Sequence, residues 1–338
     1  MPRNWTEDDV LSLARSYQTA CVLSAAADLD IFSHLHAQPA TASSLAHRLG
    51  SDGRAATILL DALVAIQLLA KHEGSYSVPE DIAELLTETS SRGVLPMVQH
   101  QANCLRRWAQ LTRVVKSAGP AECAPSIRGE SADQAAFIGA MHNVSGQIAD
   151  RLVAELGPPA FRRLLDVGGA SGTWTIAFLR AVPGTTAIVF DLPPVIPMAR
   201  QRIAEAGLGE RVTFVAGDFY GDPLPAGADL VWLSAIAHQN SREQNRALFG
   251  RIHAALADGG AILIRDVVMD ESHTRPVAGA LFAVNMLVGT AGGGTFTFSE
   301  FREDLEAAGF TDVKLLRQDE AMNSLVRAEK RTRPAGTR

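Results

Sequence analysis

Over roughly the first 110 residues, apolar positions recur at spacings of three and four, the period of helices that bury one face. Val10, Leu13, Ala14, Tyr17, Ala20, Cys21 and Ser24 keep that spacing through Ile31, predicting one helix that ends in Asp28-Leu-Asp-Ile-Phe32. A capping Thr41 or Ser43 opens a second helix that Gly50 closes, and Ser51-Asp52 caps a third through Leu69. Leu68 to Val78, with Gly74 inside it, reads as two short strands around a turn. Three helices and a hairpin are the order of a winged helix-turn-helix. Helical spacing continues over Arg92–Ala118 and Asp133–Gly157, broken at Gly119-Pro120 and over Cys123–Gly129.

From Arg163 the pattern changes. Short β-branched or Leu-rich runs at Arg163–Val167, Ala187–Phe190, Val212–Val215, Leu230–Leu233 and Ala261–Val268 alternate with amphipathic stretches. That alternation predicts a doubly wound, mostly parallel sheet, and Asp312–Leu316 and Asn323–Ala328 bring its strands to seven. The expected fold class is α/β with a mainly helical N-terminal domain. The expected boundaries are 1–110, a helical connection over 111–160, the sheet domain over 161–328 and a tail over 329–338. Arg327–Arg338 carries five basic residues against one Glu and is expected to be a solvated, disordered end.

Composition narrows the classes. With 338 residues, 47% of them hydrophobic, the chain can bury a sizeable core without disulfides or metal and is not intrinsically disordered. A net charge of −6 disfavours non-specific nucleic-acid binding. The helix Asp52–Leu69 offers only Arg54 and Gln67 for base edges or phosphates, against Asp52 and Asp61, so packing or dimerisation is its expected role. Cys21, Cys104 and Cys123 are widely spaced and form neither a disulfide framework nor a zinc motif. A polar start and the lack of a long apolar run lead to the expectation of a cytoplasmic protein without membrane, nucleic-acid or metal partners.

The candidate chemistry lies at the strand ends. Leu164-Leu-Asp166-Val runs into Gly168-Gly169-Ala-Ser-Gly172 and then a helix, a turn that lets a ligand approach the backbone at the carboxyl edge of the sheet. No Gly-Lys-Ser/Thr follows, and Ala170 stands where the dinucleotide pattern needs its second Gly. Asp191 ends the second strand, placed to accept from ribose hydroxyls, with Leu192 after it. Gly217-Asp218-Phe219 ends the third, where the acid suits an adenine amine and the ring its face. Three acids on consecutive strand ends suit a ligand with ribose, adenine, a cationic centre and no phosphates. S-adenosylmethionine is such a ligand.

Leu164–Gly172, Phe190-Asp-Leu-Pro193, Gly217-Asp-Phe219 and Phe298–Phe310, in this order and spacing, resemble the class I S-adenosylmethionine-dependent O-methyltransferases of the caffeate and polyketide-tailoring type. The resemblance covers nearly the whole chain. It implies a winged-helix-like dimerisation domain, a Rossmann-like methyltransferase domain and a homodimer joined by N-terminal helices. It places Asp166, Gly168, Gly169, Asp191, Leu192, Gly217, Asp218, Phe219 and Ser234 at the cofactor.

The resemblance also gives His238 a role. A His just beyond a strand's carboxyl end is placed either to act as a general base or to cap the following helix, and the family carries its general base in a His-Asp-Trp motif at this point. Here Gln239 and Asn240 replace the Asp and Trp, and Thr295 stands where the family usually has a Glu beside the base. Asp266, ending the fifth strand, is the counterpart of the other flanking carboxylate. Trp108, Phe137, Met141, His142, Phe282, Asn285 and Met286 are the candidate acceptor contacts, and Gly292-Gly-Gly294 the candidate flexible loop near the site. Proton transfer from a phenol to an imidazole is uphill by about 3.5 pKa units, roughly 5 kcal/mol, against roughly 13 kcal/mol for an unactivated alcohol. Phenols, enols or acids on small aromatic or polyketide-like molecules are therefore the expected acceptors. N-methylation, or a non-methylating reaction such as hydroxylation, decarboxylation or a pericyclic step, is the alternative.

Overall fold

The computed structural model of the protein describes residues 4–87, 90, 92–117, 119–146, 148–157 and 160–332, with only the backbone described for 142–144. Two compact units interleave along the chain: Met1–Arg106 with Cys123–Asn143, and Arg107–Glu122 with Val144–Arg338.

In the N-terminal unit, helices begin where a side chain can satisfy their free N–H groups. Thr6, Thr41 and Asp52 cap the helices Glu7–Arg15, Ala42–Leu49 and Gly53–Ala65. The single helix predicted from Val10 ends where expected, at Asp28 within Asp28–Phe32, but is broken at Ser16. The Ser16 hydroxyl donates back to the Leu13 carbonyl at 2.8 Å, and a new helix, Tyr17–Asp28, starts there. Asp30 then takes a left-handed φ of 50°, which ends that direction before Ile31–Ala37 begins. The third predicted helix stops at Ala65, short of Leu69, and the strands Ala70–His72 and Ser75–Ser77 form the expected hairpin. Ala40–Thr41 adds a third strand, which periodicity could not show in two residues. Phe32, Leu35, Leu45, Leu60, Leu63 and Tyr76 fill the core between these elements. The Tyr76 hydroxyl donates to Asp61, which also pairs with Lys71, so Asp61 faces its own hairpin.

The second unit holds a seven-stranded sheet: β1 (Arg163–Val167), β2 (Thr186–Asp191), β3 (Val212–Ala216), β4 (Ala228–Ser234), β5 (Leu256–Asp266), β6 (Thr311–Arg317) and β7 (Ser324–Glu329). Their order across the sheet is β6-β7-β5-β4-β1-β2-β3, and only β7 runs antiparallel to its neighbours. The order reverses between β1 and β4, the switch point at which open α/β sheets bind ligands. Five helices follow in chain order: α1 (Thr173–Ala181), α2 (Ile196–Glu205), α3 (Arg242–Ala255), α4 (Val277–Gly289) and α5 (Phe298–Ala307). Alternate strand residues serve two cores. Leu164, Trp232, Leu263 and Leu325 pack with Trp174 and Phe178, while Val231, Leu233, Ile262 and Ile264 pack with Phe249 and Phe301. Burial on both faces is why these strands read as unbroken apolar runs.

The far end of the chain is ordered further than its charge suggested. Arg327 and Glu329 lie in β7, and Lys330 donates from its backbone to Gly260 and from Nζ to the Leu256 carbonyl. Residues 333–338 of the expected tail lie outside the described residues. No helix among the described residues is long and apolar enough to cross a membrane.

Candidate active site

The turn after β1 is built on backbone. Gly168 sits at φ +68°, and a Cβ there would come within 2.8 Å of Ile236 Cδ1. Gly217 meets the same limit on the other side, because a Cβ would lie 2.6 Å from Phe190 Cζ. Gly168 N–H donates to the Phe190 carbonyl, which ties the turn to β2. Asp191 completes that tie: its Oδ2 accepts from Ala170 N–H and its Oδ1 from Leu192 N–H, both at 2.7 Å. Burial pushes the Asp191 carboxyl above its ordinary pKa, against the pull of those two N–H groups.

Asp166 lies deeper. It is 1% exposed, and Thr175 Oγ1 donates to its Oδ2 at 2.7 Å. Burial, with the nearby charge of Asp191, pushes its pKa up to about 7 despite the Thr175 hydrogen bond. Two acids held this way favour a cation beside them, because a positive charge relieves both. Asp218 differs: it is exposed, and its Oδ1 accepts from Tyr220 N–H at 2.9 Å. Phe219 is half-buried against Tyr220, with ring centres 4.6 Å apart, and Leu192 is exposed.

Ser234, at the end of β4, accepts from the Nη1 of Arg265 at 3.1 Å. Arg265 is a residue the sequence reading missed. It is 1% exposed, donates twice to Asn323 Oδ1, and lies over the Trp174 ring at 4.8 Å. Burial lowers its pKa to about 10, which the charges of Asp266 and Asp319 oppose. A charged residue inside Leu-Ile-Arg-Asp was the available signal; its partners were not.

His238 stands on a short 3-10 turn, Ala237–Gln239, directly after β4. Ser241, not His238, caps α3, through a capping box with Gln244. The capping alternative for His238 is therefore removed. Its Nδ1 lies 2.9 Å from Asp266 Oδ1, and its backbone N–H donates to Asp266 Oδ2 at 3.2 Å. Val267 N–H also donates to Asp266 Oδ1. A carboxylate so placed only accepts, so the imidazole proton sits on Nδ1 and Nε2 keeps its lone pair. Both side chains are almost fully buried, and the Phe282 ring packs edge-on to His238 at 4.8 Å.

The acceptor candidates divide. Asn285 lies about one turn from Phe282 on α4, and its Oδ1 accepts from Trp108 Nε1 at 2.9 Å. Met286, on the same helix, is buried. Phe137 and Met141 belong to the N-terminal unit, where Phe137 stacks edge-on with His100. The His142 side chain lies outside the described residues. Thr295 is buried and donates to the Gly279 carbonyl, so its hydroxyl is engaged there and supplies no second carboxylate for His238. The glycine loop is packed and not free: Gly294 N–H donates to the His238 carbonyl at 2.8 Å, and a Cβ at Gly293 would lie 2.5 Å from that oxygen. Among the described residues, no group of three or more His, Cys, Asp or Glu is placed to hold a metal ion.

A doubly wound sheet with acids on three strand ends and an oriented His at the switch point is the arrangement expected of a group-transfer enzyme of the nucleoside-binding type. The chain matches the O-methyltransferase domain over residues 121–311 and the O-methyltransferase dimerisation domain over residues 11–89. It is 34% identical over 300 residues to 3-hydroxy-5-methyl-1-naphthoate 3-O-methyltransferase of Streptomyces sahachiroi, covering 87% of each chain. It is 32% identical over 314 residues to the tetracenomycin polyketide synthesis 8-O-methyl transferase of Streptomyces glaucescens, covering 90% of this chain and 92% of that one. The solved structure of human N-acetylserotonin methyltransferase in complex with SAM is similar at TM-score 0.78 and 26% identity, over 98% of this chain and 100% of that one. The chain belongs to the O-methyltransferase family, dimerisation domain included.

Proposed function

We propose that this protein transfers a methyl group from S-adenosylmethionine to a hydroxyl of a small aromatic or polyketide-like molecule, with His238 as general base. The observation that carries the reading is the His238 Nδ1 to Asp266 Oδ1 contact of 2.9 Å, which leaves Nε2 as the acceptor. S-adenosylmethionine supplies an electrophilic methyl group and leaves as S-adenosylhomocysteine. Asp166, Gly168, Gly169, Asp191, Leu192, Gly217, Asp218, Phe219 and Ser234 hold it in this reading. The buried acids suit a cationic ligand, and the bare glycine backbone admits its close approach.

His238 takes the hydroxyl proton at Nε2 as the acceptor oxygen becomes nucleophilic, and Asp266 steadies the resulting imidazolium. An imidazole base reaches phenols, enols and acids far more readily than plain alcohols. That range agrees with relatives named for a hydroxynaphthoate and a tetracenomycin polyketide. In this reading Phe282, which packs on His238, and the bonded pair Asn285 and Trp108 would contact such a ring. The protein works in this reading as a cytoplasmic homodimer on a small molecule, without nucleic acid.

The test is transfer of labelled methyl from S-adenosylmethionine to 3-hydroxy-5-methyl-1-naphthoate and a panel of other phenols, enols and amines. His238→Ala is expected to lower turnover on a phenol by about 10² or more and to leave cofactor affinity unchanged by calorimetry. Near-normal turnover in that variant removes His238 as base. Label appearing only in amines transfers the reading to N-methylation.

A further inference from the structure

The turn carrying His238 departs from the family's motif at Gln239 and Asn240, and the structure shows what holds it instead. Asn240 has no exposed surface, and Asn245 is 1% exposed. The Tyr220 hydroxyl donates to Asn240 Oδ1. Asn240 Nδ2 donates to Asn245 Oδ1 at 3.0 Å, and Asn245 Nδ2 donates to the Ala237 carbonyl at 3.0 Å. Ala237 is the first residue of the His238 turn. Burying two carboxamides is costly unless their polar atoms are bonded, and this chain of bonds satisfies both.

The other end of the chain of bonds is anchored as well. Tyr220 N–H is bound by Asp218 Oδ1, its ring packs on Phe219, and the Phe219 carbonyl accepts from Arg251 at 2.7 Å. The polar strut thus runs from the loop after β3 to the carbonyl preceding His238. On its far side the turn is held by Asp266 and by Gly294 N–H. Nothing in catalysis as described above uses the Tyr220 hydroxyl or Asn240.

We propose that Tyr220 and Asn240 are positioning residues that set the His238 turn from the Asp218–Phe219 loop, in place of the aromatic side chain the family motif carries at position 240. The proposal rests on the reading of His238 as the base. Loss of the strut misplaces the imidazole without removing it, and a shift well under an ångström is enough to slow transfer.

Tyr220→Phe removes only the hydroxyl from a partly exposed ring; Asn240→Leu removes the central link at similar volume. The experiment records the histidine Cε1 resonances of ¹³C-labelled protein bound to S-adenosylhomocysteine, with His238 assigned through His238→Ala, alongside turnover of the best phenol acceptor. Expected in both variants is a displaced His238 resonance with the other histidines unmoved. Turnover number should fall about tenfold, with KM for acceptor and cofactor within about twofold. The double variant should be no slower than Asn240→Leu alone, because both substitutions break one strut. An unmoved His238 resonance in both variants overturns the proposal. If His238→Ala keeps turnover while Tyr220→Phe displaces the resonance, the base assignment falls and the strut stands.

Discussion

Asp166 is a carboxyl with almost no access to water, one hydroxyl donor and a second acid nearby. Its pKa is raised from 3.8 to about 7, so in the pH range between those values the folded protein keeps a proton that the unfolded chain has lost. Stability therefore falls as pH rises through that window, at up to about 1.4 kcal/mol per unit, and levels off above pH 7. Asp166→Asn keeps the shape and can still accept from Thr175, but cannot ionise. In cofactor-free protein its melting temperature, relative to the parent, is expected to rise steadily between pH 5 and pH 8, most of the gain coming below the pKa of about 7. A constant difference across that range would show that Asp166 ionises as it does in water. Asp191 sits in a similar position with more help, since its two N–H donors hold it in place to serve the turn as well as a ligand. Asp191→Ala is accordingly expected to weaken S-adenosylmethionine binding in calorimetry, and an unchanged affinity would count against its assignment to the ribose.

At the scale of elements, α3 and α5 are joined by one buried acid. Asp304, on α5, accepts from Arg242 Nε at 3.0 Å and Nη2 at 2.8 Å and from Arg246 Nε at 2.6 Å. Its side chain is 4% exposed while the arginines are 28% and 49% exposed, so solvent screens part of the attraction. Asp304→Ala is expected to cost roughly 2 kcal/mol, several degrees of melting temperature, with Asp304→Asn in between. A change within error in denaturant unfolding would mean that water serves the arginines equally well. None of this was legible in the sequence, because the partners are 62 and 58 residues apart. The same holds for Arg265 with Asn323 and for Tyr220 with Asn240. What could be read was what repeats locally. Strands buried on both faces print as apolar runs, and acids at their ends print as Asp166, Asp191 and Asp218. The break at Ser16 stayed hidden, since a single hydroxyl makes it and it does not disturb the apolar spacing, whereas the stop at Asp28–Phe32 was legible.

The match to a dimerisation domain makes a second chain part of the picture at the scale of the whole molecule. Helix Glu7–Arg15 buries none of its residues within the N-terminal unit, yet it is amphipathic and capped at its start. Trp5, Val10, Leu13 and Tyr17 are 53%, 54%, 62% and 56% exposed, a run of large apolar side chains at the entry to the dimerisation domain. A nine-residue helix that buries none of its residues is marginal in water, and such a patch on a monomer invites association. In the proposed homodimer, a second copy covering these residues would account for both the helix and its composition, and the dimerisation-domain match beginning at residue 11 is the reason to expect one. The helix-capping Thr6 and Asp9 fix where the helix starts, so the apolar side chains are presented in a defined register. Leu13→Glu with Tyr17→Glu places two charges on that face without touching either core. Sedimentation velocity is expected to move from dimer towards monomer, with melting that becomes less dependent on protein concentration. Asp166→Asn, which acts inside one chain, should leave the sedimentation coefficient where it was. A double-Glu variant that still sediments as a dimer would place the contact on another face of the domain and leave the exposed helix without a partner.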